Sequence, residues 1–232
     1  MISPDKHLQI GSLLFEGLDQ IDLTGPFEVL SRLPNSTYKI YAKSLAPIRD
    51  VKGLALAPDA LLKDAPPLDV LHVPGGFGQE ALMDDEEVLA WVRTHAANAL
   101  CVFSVCTGAL ICGAAGLLKG KRATTHWAAF DLLHYFGAIP VNERVVIDGK
   151  MVFAAGVTSG IDGALRVAAD LRGQAVAEGI QLYMQYAPEP PFSAGTPESA
   201  PQQILDTARN AVRAITAQRE VTAQRVAKRL GL

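Results

Sequence analysis

The chain has 232 residues, of which 49% are hydrophobic, and its formal net charge is −3. This length and apolar content suffice for one large domain with a full core, and the lack of a basic excess argues against a site for a nucleic-acid backbone. Three cysteines are a poor basis for a disulfide framework, and neither a signal-sequence pattern nor an apolar run of roughly 18 to 20 residues occurs, so we expect a cytoplasmic protein outside the membrane.

The hydrophobic pattern along the chain predicts alternating strands and helices. Apolar runs predict strands at 8–15, 38–44, 51–57, 68–73 and 100–105. Helical periodicity and capping signals predict helices at about 22–33, 80–98, 109–115, 161–171, 175–186 and 203–230. A hairpin is predicted between 144–147 and 151–155, because Asp148-Gly149-Lys150 is a strong turn signal. Residues 187–201 are rich in Pro, Ser, Gly and Thr, which predicts an extended connector.

This alternation predicts an α/β fold with a doubly wound, mostly parallel, flavodoxin-like sheet that helices cover on both faces. No internal repeat or second core is apparent, so we expect one domain over 1–232, with a connector at 187–201 and a C-terminal helix at 202–232. Ligands of such sheets bind beyond the carboxyl ends of the strands. The residues that directly follow each strand are therefore the candidates for a functional site.

Cys106 lies where the predicted strand 100–105 meets the predicted helix 109–115, the position at which a nucleophile elbow displays its side chain. Unpaired N–H groups and the positive end of the helix dipole favour the thiolate there, and the thiolate is the nucleophilic form. The alternative is a small buried hydrophobic side chain, the role we expect for Cys101 and Cys112. Its position makes Cys106 the candidate nucleophile.

Three further groups are predicted at the same edge of the sheet. Asp22 stands at a predicted helix start, so it is either a site carboxylate or a helix cap. The loop 74–78 is either a tight turn or a backbone that approaches a ligand and offers N–H donors to negative charge. Thr107 either places a hydroxyl beside the Cys106 sulfur or begins the helix. Their shared edge favours a joint site.

Other motifs argue against metal and nucleotide sites. The histidines lack metal-ligand spacing, and no Cys-x-x-Cys, His-Glu-x-x-His or phosphate-binding loop occurs, so we expect no metal and no nucleotide. His126 follows Cys106 in a loop-like context and either pairs with the thiol or packs as an ordinary side chain. The basic residues of the terminal helix alternate with acidic ones, which predicts a solvated face.

Five segments carry a resemblance. They are Gln20-Ile21-Asp22-Leu23-Thr24-Gly25-Pro26, Val73-Pro74-Gly75-Gly76, Ser104-Val105-Cys106-Thr107-Gly108, Gly120-Lys121-Arg122-Ala123-Thr124-Thr125-His126-Trp127 and Tyr186-Ala187-Pro188. Together they resemble the DJ-1/PfpI superfamily, and within it the isonitrile (isocyanide) hydratases, from about residue 8 to the C-terminus. Thr107 stands where the superfamily's proteases have His, and one terminal helix cannot supply the helix-turn-helix module of related regulators. The resemblance is therefore to a stand-alone enzyme.

The resemblance implies addition of water to an isonitrile carbon, which gives an N-substituted formamide without metal or organic cofactor. Cys106 would form a thioimidate, and Asp22, kept partly protonated by burial and by repulsion from the thiolate, would protonate the carbon. The Thr107 hydroxyl would orient Cys106 or water, and the backbone N–H of Thr107 would form the polar wall of the site together with the loop of Gly75 and Gly76. The resemblance also implies a homodimer, with the connector reaching across a two-fold interface. No step of this route requires His126.

Two other function classes would use the same residues. A redox or stress-response protein of the DJ-1 kind would use Cys106 as an oxidation sensor, but such proteins usually carry Glu where this chain has Asp22. A ligand-binding regulator would use Cys106 only to line a pocket, without turnover. Incubation with an aryl isonitrile separates the three classes.

Overall fold

The computed structural model describes residues 2–232, and a seven-stranded sheet forms its centre. The strands are β1 (Leu8–Leu13), β2 (Ser36–Ala42), β3 (Ala60–Leu61), β4 (Val70–Val73), β5 (Cys101–Val105), β6 (Val145–Asp148) and β7 (Met151–Ala154). Their order is β6-β7-β5-β4-β1-β2-β3. Every neighbouring pair is parallel except β6 and β7, which form the predicted hairpin. The prediction of a doubly wound, mostly parallel sheet is confirmed.

Helices cover both faces of the sheet. They are α1 (Gln20–Leu30), α2 (Gln79–Leu82), α3 (Glu86–Asn98), α4 (Gly108–Ala114), α5 (Ser159–Arg172), α6 (Gln174–Tyr183) and α7 (Gln202–Leu230), with a long 3-10 helix at Trp127–Phe136. Apolar side chains of α1, α5 and α6 form the core on one face, and those of α3, α4 and α7 form the core on the other. Within residues 2–232, no helix has both the length and the apolar character of a membrane span.

The strand predicted at 51–57 is wrong. Only Ala55–Leu56 is extended, and it pairs antiparallel with Ile48–Arg49 outside the main sheet. The physical reason is a turn. The Asp50 carboxylate accepts the N–H groups of Lys52 and Leu54 at 2.8 Å each, and Gly53, which lies between them, adopts a positive φ. The edge strand β3, which is two residues long, was not predicted.

Two helix predictions also need correction. The helix predicted at 80–98 is two helices, because Asp85 caps the start of α3 and its carboxylate accepts the N–H of Val88 at 3.3 Å. The first helix begins at Gln20, ahead of Asp22, and its cap is Asp19, whose carboxylate accepts the N–H of Ile21 at 3.2 Å. Asp22 is therefore free of the capping role.

Candidate active site

Cys106 occupies a sharp elbow between β5 and α4. Its φ of +57° lies in the left-handed region, which costs a non-glycine residue energy unless the surroundings enforce it. The surroundings do so here, because the N–H of Cys106 donates to the carbonyl of Ala154 at 2.9 Å and its carbonyl accepts the hydroxyl of Thr125 at 2.7 Å. The side chain is buried, with 6% of the residue exposed. The elbow is thus fixed from β7 and from the segment before the 3-10 helix.

Asp22 is fully buried in α1 and points at the elbow. Its Oδ2 accepts the N–H of Gly75 at 3.0 Å, whereas Oδ1 has no hydrogen-bond partner among residues 2–232. The pKa of Asp22 is raised to about 8, because burial and then the charge of Asp19 raise it more than the interactions with the Cys106 thiol and the Gly75 N–H lower it. The carboxyl therefore holds its proton near neutral pH, in agreement with the expected partial protonation.

The Cys106 thiol also holds its proton in the resting site. Burial raises its pKa well above the ordinary value, the charge of Asp22 raises it further, and the N–H groups of Thr107 and Val157 lower it. The expectation that the helix end favours a thiolate is wrong for this state, because α4 is seven residues long and loss of water outweighs its dipole. The thiol and the carboxyl of Asp22 form a coupled pair that must lose one proton before the sulfur can attack.

The loop that contains Gly75 and Gly76 holds the acid and the elbow together. The N–H of Gly75 donates to Asp22, and the N–H of Gly76 donates to Thr107 Oγ1 at 3.1 Å, while the Thr107 hydroxyl donates to the carbonyl of Gly76 at 3.2 Å. A Cβ on Gly75 would lie 2.5 Å from the backbone nitrogen of Thr107. Gly76 has a φ of +134°. Both N–H groups are therefore committed to Asp22 and Thr107 rather than free to stabilise an oxyanion.

Thr107 is buried and directly precedes α4, where its side chain makes no capping hydrogen bond. Its hydroxyl instead bonds the Gly76 backbone in both directions. Of the two roles left open by the sequence, Thr107 takes the helix start, and its hydroxyl fixes the adjacent loop. A role of this hydroxyl beside the Cys106 sulfur stays a prediction.

A buried polar cluster that the sequence did not reveal lies behind Asp22. Nδ1 of His72 lies 2.9 Å from Ser12 Oγ and 3.0 Å from the Tyr38 hydroxyl. The pKa of His72 is lowered to about 3, because burial lowers it more than an interaction with the backbone of Asp22 raises it, so the ring is neutral. Pro26 has no N–H, which leaves the backbone carbonyl of Asp22 without its helical donor. Because both hydroxyl groups lie at Nδ1, we assign the ring proton to Nε2, which makes no hydrogen bond among residues 2–232.

A cavity of about 410 Å³ adjoins the elbow. Its walls include Thr125, Trp127, Phe130 and Val157, and two of these, Thr125 and Val157, interact directly with Cys106. The aromatic side chains suit an apolar substituent. The structure therefore gives the elbow an adjoining space for a small organic molecule.

His126 lines the same cavity, but its ring serves the backbone. Its Nδ1 accepts the N–H of Ala128 at 3.3 Å and caps the 3-10 helix. Burial, and to a smaller extent the charge of Arg219, lower the pKa of His126 to about 4. Within the described residues no hydrogen bond joins His126 to Cys106, which favours the packed alternative over a Cys–His pair.

The prediction of a solvated terminal helix is wrong at Arg219, which is 3% exposed. Its guanidinium donates to the carbonyl of Gly76 at 2.6 Å.

In residues 2–232, no three side chains of His, Cys, Asp or Glu converge as a metal site would require. All three cysteines are buried and free of disulfides.

Comparison with known proteins identifies the family. The DJ-1/PfpI family profile matches residues 9–170. The isonitrile hydratase of Pseudomonas putida is 49% identical over 222 residues, which cover 95% of this chain and 97% of the relative. The crystal structure of a ThiJ/PfpI family protein from Pseudomonas syringae is similar with a TM-score of 0.91 and 41% identity, covering 94% of this chain and 91% of the other. Drosophila melanogaster DJ-1beta, at 18% identity and a TM-score of 0.72 over 79% of this chain and 100% of its own, shares the fold. The chain belongs to the DJ-1/PfpI family.

Proposed function

We propose that the protein is an isonitrile hydratase, an enzyme that adds water to the terminal carbon of an N-substituted isonitrile and releases an N-substituted formamide. The near full-length similarity to the Pseudomonas putida isonitrile hydratase supports this activity. The observation that carries the mechanism is the buried carboxyl of Asp22, which retains a proton near neutral pH beside the elbow cysteine Cys106.

The first step joins protonation of the isonitrile carbon to attack by sulfur. Attack alone would leave carbanion-like charge on that carbon, so an acid must deliver a proton to it. The coupled pair of Asp22 and Cys106 supplies both components once it holds a single proton: the carboxyl gives this proton to the carbon, and the thiolate forms the C–S bond. The product of this step is a neutral thioimidate, and Asp22 is left ionised.

The second step returns the proton and releases the product. Ionised Asp22 accepts a proton from water as the oxygen adds to the thioimidate carbon, and the resulting acid protonates the substrate nitrogen. Collapse of the tetrahedral intermediate then expels the Cys106 thiolate and returns the remaining hydroxyl proton to Asp22. One water is consumed, and the coupled pair regains its starting proton.

The cavity next to the elbow receives the substituent on the isonitrile nitrogen. Trp127 and Phe130 supply aromatic surface there, and the volume of about 410 Å³ is large enough for an aryl or a branched alkyl group. The remaining walls include charged side chains, among them Glu143, Arg144 and Glu198. We therefore expect the cavity to discriminate among isonitriles by both the size and the charge of the substituent.

The same geometry disfavours a role as an oxidation sensor. Redox-sensing cysteines combine a low pKa with exposure to solvent, whereas Cys106 is buried and its pKa is raised. A ligand-binding regulator differs from an isonitrile hydratase because it would bind an isonitrile without forming a formamide. The DJ-1-like redox protein and the non-catalytic regulator therefore remain outcomes of the activity test.

We propose that the enzyme acts as a cytoplasmic homodimer and that residues 1–232 form one domain. Three buried free thiols suit a reducing compartment. The exposed apolar side chains of Leu182, Tyr183 and Phe192, on α6 and the connector, supply surface for a second copy. Light scattering after gel filtration should give about twice the chain mass of 24.7 kDa, and a mass equal to one chain would contradict the dimer.

The activity is tested by incubating the purified protein with an aryl isonitrile in ¹⁸O-labelled water. Mass spectrometry should find the N-aryl formamide with one ¹⁸O atom, and Cys106→Ala protein should give none beyond the uncatalysed background. Absence of formamide from folded wild-type protein would contradict the proposed function.

A further inference from the structure

A buried arginine approaches the active site from α7, outside the residues 9–170 that match the family. Arg219 is almost fully buried, although Arg225 on the same helix has a side chain that is 58% exposed and pairs with Asp84. Burial of a guanidinium is costly unless its hydrogen bonds and charge are used. The contacts of Arg219 therefore indicate what its burial serves.

The guanidinium of Arg219 is held by the loop 74–78 and the helix that follows it. Its Nη2 donates to the carbonyl of Gly76 at 2.6 Å, and its Nε donates to Gln79 Oε1 at 3.0 Å. The group also lies 5.9 Å from the centroid of the Phe77 ring. None of these partners is a carboxylate, so the positive charge is not cancelled by a direct ion pair in the part of the chain that the structure describes.

The loop that Arg219 anchors is the one that fixes the acid and the elbow. Gly76 donates its N–H to Thr107, and Gly75 donates its N–H to Asp22. A change in the orientation of the Gly76 carbonyl would turn this loop and displace both donors. Arg219 therefore acts on Asp22 and Thr107 through the backbone.

Arg219 also lies within electrostatic reach of the sulfur. Burial lowers the pKa of the guanidinium, and the charges of ionised Cys106 and of Glu80 oppose this shift. Because a charge–charge attraction is mutual, the guanidinium favours the ionised sulfur. The other titratable groups that face this region are Asp22 on α1, Glu80 on α2 and His126 before the 3-10 helix. The two carboxyl groups do not favour the thiolate and His126 is neutral, so Arg219 supplies the positive charge.

We propose that Arg219 is a positioning residue of the active site, which anchors the Gly76 carbonyl and sets a positive charge against the Cys106 sulfur when the thiolate attacks. This inference rests on the proposed hydration at Cys106. It makes α7 a functional part of the enzyme, whereas Asp22, Cys106 and Thr107 lie within the matched residues 9–170.

The test compares Arg219→Gln and Arg219→Lys with Arg225→Gln, a control on the same helix whose side chain pairs with Asp84 at the surface. Two properties are measured: kcat and KM with an aryl isonitrile, and the pH dependence of Cys106 alkylation by iodoacetamide, located by peptide mass spectrometry. Arg219→Gln should lower kcat about 10- to 100-fold with little change in KM, because hydrogen bonds from a charged group are lost, and should move the alkylation midpoint to higher pH. Arg219→Lys should keep the midpoint but lose part of kcat, because an ammonium cannot reproduce both contacts. Arg225→Gln should match wild type.

Folded Arg219→Gln protein with wild-type kcat and an unchanged alkylation midpoint would overturn the proposal. An equal loss in Arg225→Gln would also overturn it, because the effect would then belong to the stability of α7. Circular dichroism reports folding, and if Arg219→Gln does not fold, a wild-type kcat in Arg219→Lys would overturn the anchoring role. If wild-type protein does not hydrate isonitriles, the proposed function fails, and the alkylation comparison still decides the role of Arg219.

Discussion

The elbow and the interior of α4 each contain a buried cysteine, and the two sites differ in their neighbours. Burial raises the pKa of Cys106, and it raises that of Cys112 to about 12. Cys106 interacts with the Asp22 carboxyl and with the N–H groups of Thr107 and Val157, and Val157 lines a neighbouring cavity. Cys112, in contrast, is surrounded by the apolar core. This difference indicates that a protonated, buried thiol becomes a nucleophile when a partner can take its proton and a substrate can reach it.

The largest effect should come from removing each thiol in turn. We expect Cys106→Ala to abolish isonitrile turnover, because Cys106 is the cysteine that interacts with the Asp22 carboxyl. Cys101→Ala and Cys112→Ala should retain turnover and lower the free energy of unfolding by roughly 0.5–3 kcal/mol, as core truncations do. Steady-state rates and thermal midpoints of the three variants separate these effects, and near-normal turnover in folded Cys106→Ala protein would rule out covalent catalysis.

The next largest effect on turnover should come from Asp22, the carboxyl that interacts with the Cys106 sulfur. Asp22→Asn should lower turnover about 10²- to 10⁴-fold, because an amide cannot act as a general acid. The pKa of Asp22 is raised from 3.8 to about 8 on folding, so the folded state binds more protons and loses stability as pH rises across that interval. Asp22→Asn should therefore raise the thermal midpoint relative to wild type, by more at pH 8 than at pH 4.

Two results would contradict this account of Asp22. Retained turnover in Asp22→Asn would assign the carboxyl a structural role, since an amide could still accept the N–H of Gly75. A thermal midpoint difference that does not change between pH 4 and pH 8 would show that folding does not raise the pKa of the Asp22 carboxyl.

A smaller effect is expected from the cluster behind Asp22. His72→Gln should lower kcat about 2- to 10-fold, the range for loss of a neutral hydrogen bond. It should also shift the pH dependence of turnover, because the interaction of His72 with the backbone of Asp22 is lost. His95→Gln is the matched control, since His95 is also buried but packs against Trp91 on α3. Equal effects of the two substitutions, or an unchanged pH profile in His72→Gln, would assign His72 to general packing.

The smallest effect should come from His126. The proposed route takes its proton from Asp22, and the His126 ring caps the 3-10 helix, so His126→Ala should retain most turnover in protein that circular dichroism shows to be folded. Neither wild type nor variant should cleave simple peptides or esters. A loss as deep as that of Cys106→Ala would place His126 in the catalytic set and favour a Cys–His hydrolase.

The sequence predicted the features that depend on local pattern. The apolar run before Cys106 and the turn after it gave the elbow, and Asp148-Gly149-Lys150 gave the hairpin. The sequence did not decide whether Asp22 is a helix cap or a site carboxylate, because Asp19 and Asp22 both lie at a helix start. Only the structure shows which of them caps the helix. Short-range sequence signals therefore predicted the strands, helices and turns better than they predicted the roles of neighbouring acidic side chains.

The features that were missed depend on contacts between distant segments. His72 lies in an apolar strand and resembles any core residue until Ser12 and Tyr38 meet it. Arg219 belongs to a helix with many charges, and the periodicity of that helix does not show that one guanidinium reaches Gly76. The pKa of Cys106 was predicted in the wrong direction because the helix dipole is local, whereas burial depends on the whole fold.

The central claim is that the carboxyl of Asp22 holds a proton near neutral pH beside Cys106. Infrared difference spectroscopy between wild type and Asp22→Asn, recorded across pH, measures this proton through the carbonyl stretch of a protonated carboxyl group. We predict a band that is present at pH 6, disappears with a midpoint near pH 8, and is absent from Asp22→Asn. Absence of this band at pH 6, with the carboxylate signal of Asp22 in its place, would contradict the account.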